Sequence, residues 1–160
     1  MGSGKSYWGK LWASETGMSY FDLDDIIENQ EGMSVEAIFE KKGENYFREK
    51  ESALLRTMDA HKDCIISCGG GTPCYDGNMQ WMNENGITVY LQANPVKLIE
   101  NILLEIDKRP LLKKINKGEM LFFVEQKLKE RDPFYTQAQI IMLVKELNQT
   151  SIHDIIQKFK

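Results

Sequence analysis

Two clusters near the start of the chain combine residue types suited to phosphate chemistry. Gly2-Ser3-Gly4-Lys5-Ser6 has the make-up of the second half of a phosphate-binding loop, in which backbone N–H groups and a helix N-terminus surround phosphate oxygens. In such a loop Lys5 reaches the β and γ phosphates of a nucleotide, and the Ser6 hydroxyl binds magnesium. The bland alternative is a Gly-Ser tail ahead of a helix, whose pattern runs from Tyr7 to Ala13. The second cluster is Asp22 and Asp24, two apart at a strand end, where an extended backbone points both the same way. One carboxylate then supports a magnesium hydration shell and the other receives a substrate hydroxyl, the division of labour that phosphoryl transfer needs. With Asp25 beside them, the same residues also read as a solvated helix cap.

Periodicity supplies the elements that must position these clusters. Residues 19–22 read as a strand, and Ile26, Ile27, Val35, Ile38 and Phe39 follow at helical spacing. A helix over 44–61 carries Tyr46, Phe47, Leu54, Leu55 and Met58 on its apolar side. The apolar runs 64–68, 87–91 and 140–144 read as buried strands; helices are expected near 78–84, after Asn94-Pro95, and over 151–159 with Ser151 as its cap. Short strands alternating with helices imply right-handed βαβ units and a mainly parallel sheet covered on both faces. Ligands of such sheets sit beyond the carboxyl ends of the strands, where Asp22-Leu23-Asp24 and Gly69-Gly70-Gly71 both fall. The segment 107–119, rich in Lys and Arg around Pro110-Leu111-Leu112, reads as an irregular basic lid.

Composition narrows the function classes. A chain of 160 residues, 42% apolar and 28% charged, is the size and make-up of one ordinary globular domain. Its net charge of −4 gives no long-range field for nucleic acid or an anionic membrane, so an anionic ligand must be met by locally placed cations. Three cysteines, Cys64, Cys68 and Cys74, form neither a disulfide framework nor a zinc pattern, and point to reduced thiols in a cytoplasmic setting. No apolar run is long enough for a membrane span, and the N-terminus carries no export signal. Met1-Gly2-Ser3-Gly4-Lys5-Ser6 also fits the short myristoylation pattern, but the phosphate loop explains the same residues better.

Taken in order, Gly2-Ser3-Gly4-Lys5-Ser6, Asp22-Leu23-Asp24, Phe47-Arg48 with Glu51, Gly69-Gly70-Gly71, Arg109-Pro110-Leu111-Leu112 and Arg131-Asp132-Pro133-Phe134-Tyr135 resemble the motif series of the shikimate kinases. These are small P-loop enzymes of the nucleoside-monophosphate-kinase-like group. The resemblance implies an α/β class, three-layer α/β/α P-loop kinase fold over residues 1–160, with a parallel sheet of order 2-3-1-4-5. It also implies a cytoplasmic monomer that uses ATP and Mg2+ to phosphorylate the 3-hydroxyl of shikimate, in chorismate and aromatic amino acid biosynthesis.

By the same resemblance, Lys5, Asp24 and Arg109 are catalytic, and Asp24, Arg48, Gly70 and Arg131 hold shikimate. The shikimate carboxylate suits the forked donors of the two arginines, which on residue type alone also serve as surface ion-pair partners. Ser6 and Asp22 are the magnesium residues; Gly2, Ser3, Gly4, Lys5, Ser6, Tyr7, Arg109 and Gln149 bind ATP. Phe39, Phe47 and Pro110 line the pocket, although a plain core face has the same spacing. The segment 145–151 departs from the family pattern in lacking a Pro in the adenine loop.

The family's first, central strand has no counterpart here. The expectation is therefore that Met1 is an internal methionine with a buried strand and a Gly upstream, and that the flanking strands stand about 9.6 Å apart, two spacings of roughly 4.8 Å. Two other readings compete: a gluconate-kinase-like enzyme of the same fold, and a non-catalytic relative. Arg48, Arg109 and Arg131 together with the glycine triplet favour a carboxylated cyclic substrate over the former.

Overall fold

Glycine in left-handed backbone bounds the first helix at both ends. Gly4 (φ 80°) precedes α1 (Lys5–Thr16) and Gly17 (φ 73°) follows it, so the chain turns sharply into β1 (Ser19–Asp22). The computed structural model describes residues 2–104 and 116–159. After β1 come α2 (Leu23–Glu31), α3 (Val35–Lys42), α4 (Glu44–Thr57), β2 (Cys64–Ser67), α5 (Asn78–Asn85), β3 (Val89–Gln92) and α6 (Pro95–Leu104). The described chain then runs through α7 (Lys117–Tyr135), β4 (Ile140–Leu143) and α8 (Ser151–Lys158).

The strands pair in two parallel couples. Ser19 stands opposite Cys64 and Asp22 opposite Ser67 in one; Val89 stands opposite Ile140 and Gln92 opposite Leu143 in the other. Parallel neighbours need helical crossovers, which α2 to α4 provide for β1 and β2, and α6 and α7 for β3 and β4. The order is β1-β2 and β3-β4, with no ladder between β2 and β3 among the described residues. Strand alternation divides the core between two faces. On one side Ile66 and Cys68 pack with Leu23, Ile27, Ile38 and Leu55. On the other, Ile65, Val89, Leu91, Ile140 and Met142 share one cluster with Trp12 of α1 and with Ile152 and Ile155 of α8. This second cluster draws residues from both strand couples, so α1 and α8 bridge the two halves of the sheet.

Several boundaries differ from the sequence pattern. Ile87 and Thr88 fall before β3 because Thr88 is drawn into side-chain bonds: its N–H donates to Gln139 Oε1 at 3.1 Å and its hydroxyl to Asn83 Oδ1 at 2.5 Å. Helix α4 stops at Thr57, and a tight turn over Met58–Ala60 leads into β2. Ser151 begins α8 rather than capping it, and its hydroxyl accepts from the Asn148 N–H at 3.0 Å. The expected lid over 107–119 ends inside α7, which Asn116 caps through a bond from the Gly118 N–H at 3.2 Å; residues 107–115 lie outside those described. The three cysteines are free, and burial pushes Cys68 up to about 12. No helix among the described residues is long and apolar enough to cross a membrane.

Between β2 and β3 lies a cavity of about 760 Å³, walled by Ile65 and Ile66, by Val89 and Leu91, and above by Trp12 and Ile152. Both walls of this slot are strand edges, whose outward N–H and C=O groups have no ladder partner among the described residues. Joining about five Val, Ile and Leu residues to the N-terminus through a short polar turn should fill it. A net gain of roughly 3 kcal/mol raises the thermal midpoint by about 10 °C for a chain of this size. The same extension with alternate residues changed to Lys should show no rise in a calorimetric melt.

Candidate active site

The site is built outward from the start of α1. A helix leaves its first N–H groups without intrahelical acceptors and carries partial positive charge there, which suits an anion. The loop ahead of it is pinned to α6, because Asn101 Nδ2 donates to the Gly2 carbonyl at 2.7 Å. A Cβ at Gly2 would stand 2.7 Å from the Leu98 carbonyl oxygen, so this close approach requires glycine.

Asp22 ends β1 and caps α2. Its Oδ1 accepts from the Asp24 N–H at 3.2 Å, and its Oδ2 accepts from the Ser6 hydroxyl at 2.8 Å and the Tyr20 hydroxyl at 3.0 Å. Lys5 Nζ lies 3.8 Å from the same Oδ2. Asp22 and Asp24 therefore do not share the strand face that the spacing predicts. Asp24 is in the first turn of α2, and the cap, rather than an extended strand, brings the two carboxylates together. Asp24 is pushed from its ordinary 3.8 up to about 6, by burial first, with Asp22 and Glu51 adding to the rise and Lys5 and Arg48 opposing it.

Arg48 and Glu51 stand one turn apart on α4. Arg48 Nη1 donates to Glu51 Oε2 at 2.7 Å, while Nη2 and Nε reach the exposed Glu44 at 3.2 Å. Glu51 is fully buried, and the guanidinium packs against the adjoining rings of Phe39 and Phe47. The glycine triplet closes over this pair. A Cβ on Gly71 would collide with the Arg48 guanidinium, and one on Gly69 would stand 2.8 Å from Glu51 Oε1. Close approach, rather than turn flexibility, explains glycine at both positions. Arg131 projects from α7 one turn before Tyr135, whose hydroxyl donates to the Gly70 carbonyl at 2.6 Å.

These groups border one cavity of about 520 Å³ lined by Lys5, Ser6, Asp24, Arg48, Gly70 and Arg131, with Gly2, Ser3, Gly4 and Tyr7 at the loop end and Phe39 and Phe47 on the wall. Phe47 belongs to the core as well, so both readings of the aromatic spacing hold. Asp22 lies behind the cavity, reaching it through Ser6 and Lys5. Gln149 is not on its lining: the amide donates to Glu15 of α1, a carboxylate that His153 also approaches at 3.3 Å. Arg109 and Pro110 lie outside the described residues. Tyr20 escaped the sequence reading although its spacing of two from Asp22 on a strand was a usable signal. Tyr135 stood inside the last motif, but its bond to Gly70 spans 65 positions and nothing local pointed to it.

The family model for shikimate kinase matches residues 1–160. The chain belongs to the shikimate kinase family. Among its relatives, the shikimate kinase of Parabacteroides distasonis is 40% identical over 156 residues, covering 97% of this chain and 90% of the relative. The shikimate kinase of Bacteroides thetaiotaomicron has a crystal structure that superposes with a TM-score of 0.89 at 36% identity, over 99% of this chain and 91% of that one. A shikimate kinase from Acinetobacter baumannii, solved in complex with shikimate, matches with a TM-score of 0.81 at 31% identity, over 99% and 86% of the two chains. The architecture is thus the α/β P-loop kinase fold of the shikimate kinases.

Two outcomes follow from this geometry. The folded value of Asp24 lies above its ordinary one, so the native state binds more proton between pH 3.8 and about 6 and loses stability as pH rises through that window. Asp24→Asn should therefore melt several degrees higher than the parent at pH 7.5, from a penalty on the order of 3 kcal/mol, with the difference vanishing near pH 4. Gly71→Ala should displace the Arg48 guanidinium and weaken binding of a carboxylate ligand at least tenfold, read by titration calorimetry, with little change for nucleotide.

Proposed function

We propose that this chain transfers the γ-phosphoryl group of ATP to the 3-hydroxyl of shikimate. The observation that carries the reading is a single cavity uniting an anion-binding helix start and Lys5, a carboxylate whose pKa is raised to about 6, and two guanidinium groups. The phosphates of ATP lie against the N–H groups of α1, with Lys5 neutralising their developing charge. Ser6 and Asp22 present hard oxygen donors 2.8 Å apart, a pair that would hold magnesium, Ser6 through its hydroxyl and Asp22 through water. Bound there, the ion neutralises the β and γ phosphates.

Asp24 receives the proton of the shikimate hydroxyl. A pKa near 6 leaves it ionised at neutral pH while making it a better proton acceptor than an ordinary aspartate. Arg48 and Arg131 take the shikimate carboxylate, and the Gly70 backbone borders the ring. Arg109, assigned through its motif, reaches the transferring phosphate. The three free thiols suit the cytoplasm.

Coupled ADP release should show magnesium-dependent turnover with shikimate and none with gluconate or nucleoside monophosphates. Turnover of either of those in place of shikimate would overturn the assignment. The kcat/KM for shikimate should fall as pH drops through about 6, when Asp24 takes up a proton. Asp24→Asn should lower kcat by roughly 10²–10⁴.

A further inference from the structure

The carboxylate that holds Arg48 is itself held, by a residue outside the substrate cavity. Thr72 follows the glycine triplet and is fully buried, and its hydroxyl donates to Glu51 Oε1 at 2.5 Å. The other oxygen of Glu51 accepts from Arg48 Nη1 at 2.7 Å. Thr72 is fixed in turn: its carbonyl accepts from Asn78 Nδ2 at 2.9 Å. Asn78, also fully buried, accepts through Oδ1 from Ser52 Oγ at 2.8 Å and Arg56 Nη1 at 2.7 Å. The chain of bonds leaves α4 at Ser52 and Arg56 and returns to it at Glu51 and Arg48.

We infer that Thr72 is a positioning residue that sets how tightly the site binds a carboxylate, by restricting Glu51 to one donor of Arg48. A buried carboxylate beside a guanidinium favours the fork-to-fork arrangement, in which both oxygens take two parallel N–H groups. That arrangement would consume the donors a substrate carboxylate needs. With Oε1 occupied by the Thr72 hydroxyl, Glu51 takes Nη1 alone, and Nη2 and Nε are left to the exposed Glu44, which a ligand can displace. The Asn78 amide, together with the backbone bonds of Thr72 to Gly69 and Tyr75, keeps the threonine in register with the carboxylate. The inference rests on the reading that Arg48 anchors the substrate carboxylate.

The test compares Thr72→Val, Thr72→Ser and Arg48→Lys in the full chain, with shikimate and with its carboxamide. Valine keeps the volume of threonine and removes the hydroxyl; Thr72→Ala removes it too and serves where the valine lowers folding yield. Loss of the hydroxyl should raise the shikimate KM, and the Kd by titration calorimetry, roughly tenfold, as expected for one hydrogen bond to a buried charged group. The kcat and the ATP KM should stay within about twofold, serine should restore the parent values, and the carboxamide, which does not use the anchor, should be bound equally by all three Thr72 forms. A parental shikimate KM in Thr72→Val, with a raised one in Arg48→Lys, overturns the role of Thr72 and leaves the anchor standing. A parental KM in Arg48→Lys overturns the anchor and this inference with it. Equal losses for shikimate, carboxamide and ATP would show a merely structural role and overturn it as well.

Discussion

One carboxylate joins the three elements that meet at the site. Asp22 terminates β1, caps α2 through the Asp24 N–H, and takes the Ser6 hydroxyl from the first turn of α1, with Lys5 at 3.8 Å. A charged acceptor shared among a strand end and two helix starts fixes their relative positions more sharply than apolar packing does, because hydrogen bonds are directional and shorter. The Tyr20 hydroxyl donates to the same oxygen, so the carboxylate is oriented before any ligand arrives. An arrangement ready in advance avoids reorganisation when charge moves, which is how fixed dipoles and ions assist phosphoryl transfer.

Charge balance governs the rest of the cavity. Asp22, Asp24 and Glu51 lie near Lys5 and Arg48; Asp22 and Glu51 are buried and Asp24 is partly so. Burial raises Asp24 more than the two cations lower it, whereas Glu51 is held by bonds to Arg48 and Thr72 on both oxygens. Two acids one packing layer apart thus have different tasks because their partners differ: one keeps an oxygen for a substrate proton, and the other has none to spare. No buried side-chain nitrogen or oxygen among the described residues lacks a partner. In a low-dielectric site that completeness matters, since an unpaired polar group there costs about 1–3 kcal/mol.

Helix α1 connects this chemistry to the sheet. Its first turn faces the ligand cavity, while Trp12 further along packs with Ile152 and Ile155 over both strand couples. The slot between β2 and β3 lies directly under this helix. Helix α1 thus borders both the slot and the ligand cavity.

Much of this was legible in the residues. Local patterns placed β1 at Ser19–Asp22 and the helices near Glu44 and after Asn94, because period and caps are set by neighbours in sequence. The ordered motifs named Lys5, Asp24, Arg48, Gly70 and Arg131, and the fold brings all five to one cavity. What the sequence by itself determined was the set of groups and their chemistry, since residue type decides which atoms donate, accept or carry charge. Only the tertiary structure decided their arrangement. Asp24 meets Asp22 through a helix cap instead of a strand, Gln149 is engaged by Glu15 away from the cavity, and Tyr135 reaches Gly70 across 65 positions. Contacts of that range depend on where whole elements pack, and burial, which lifts Asp24 to about 6, exists only once they have packed.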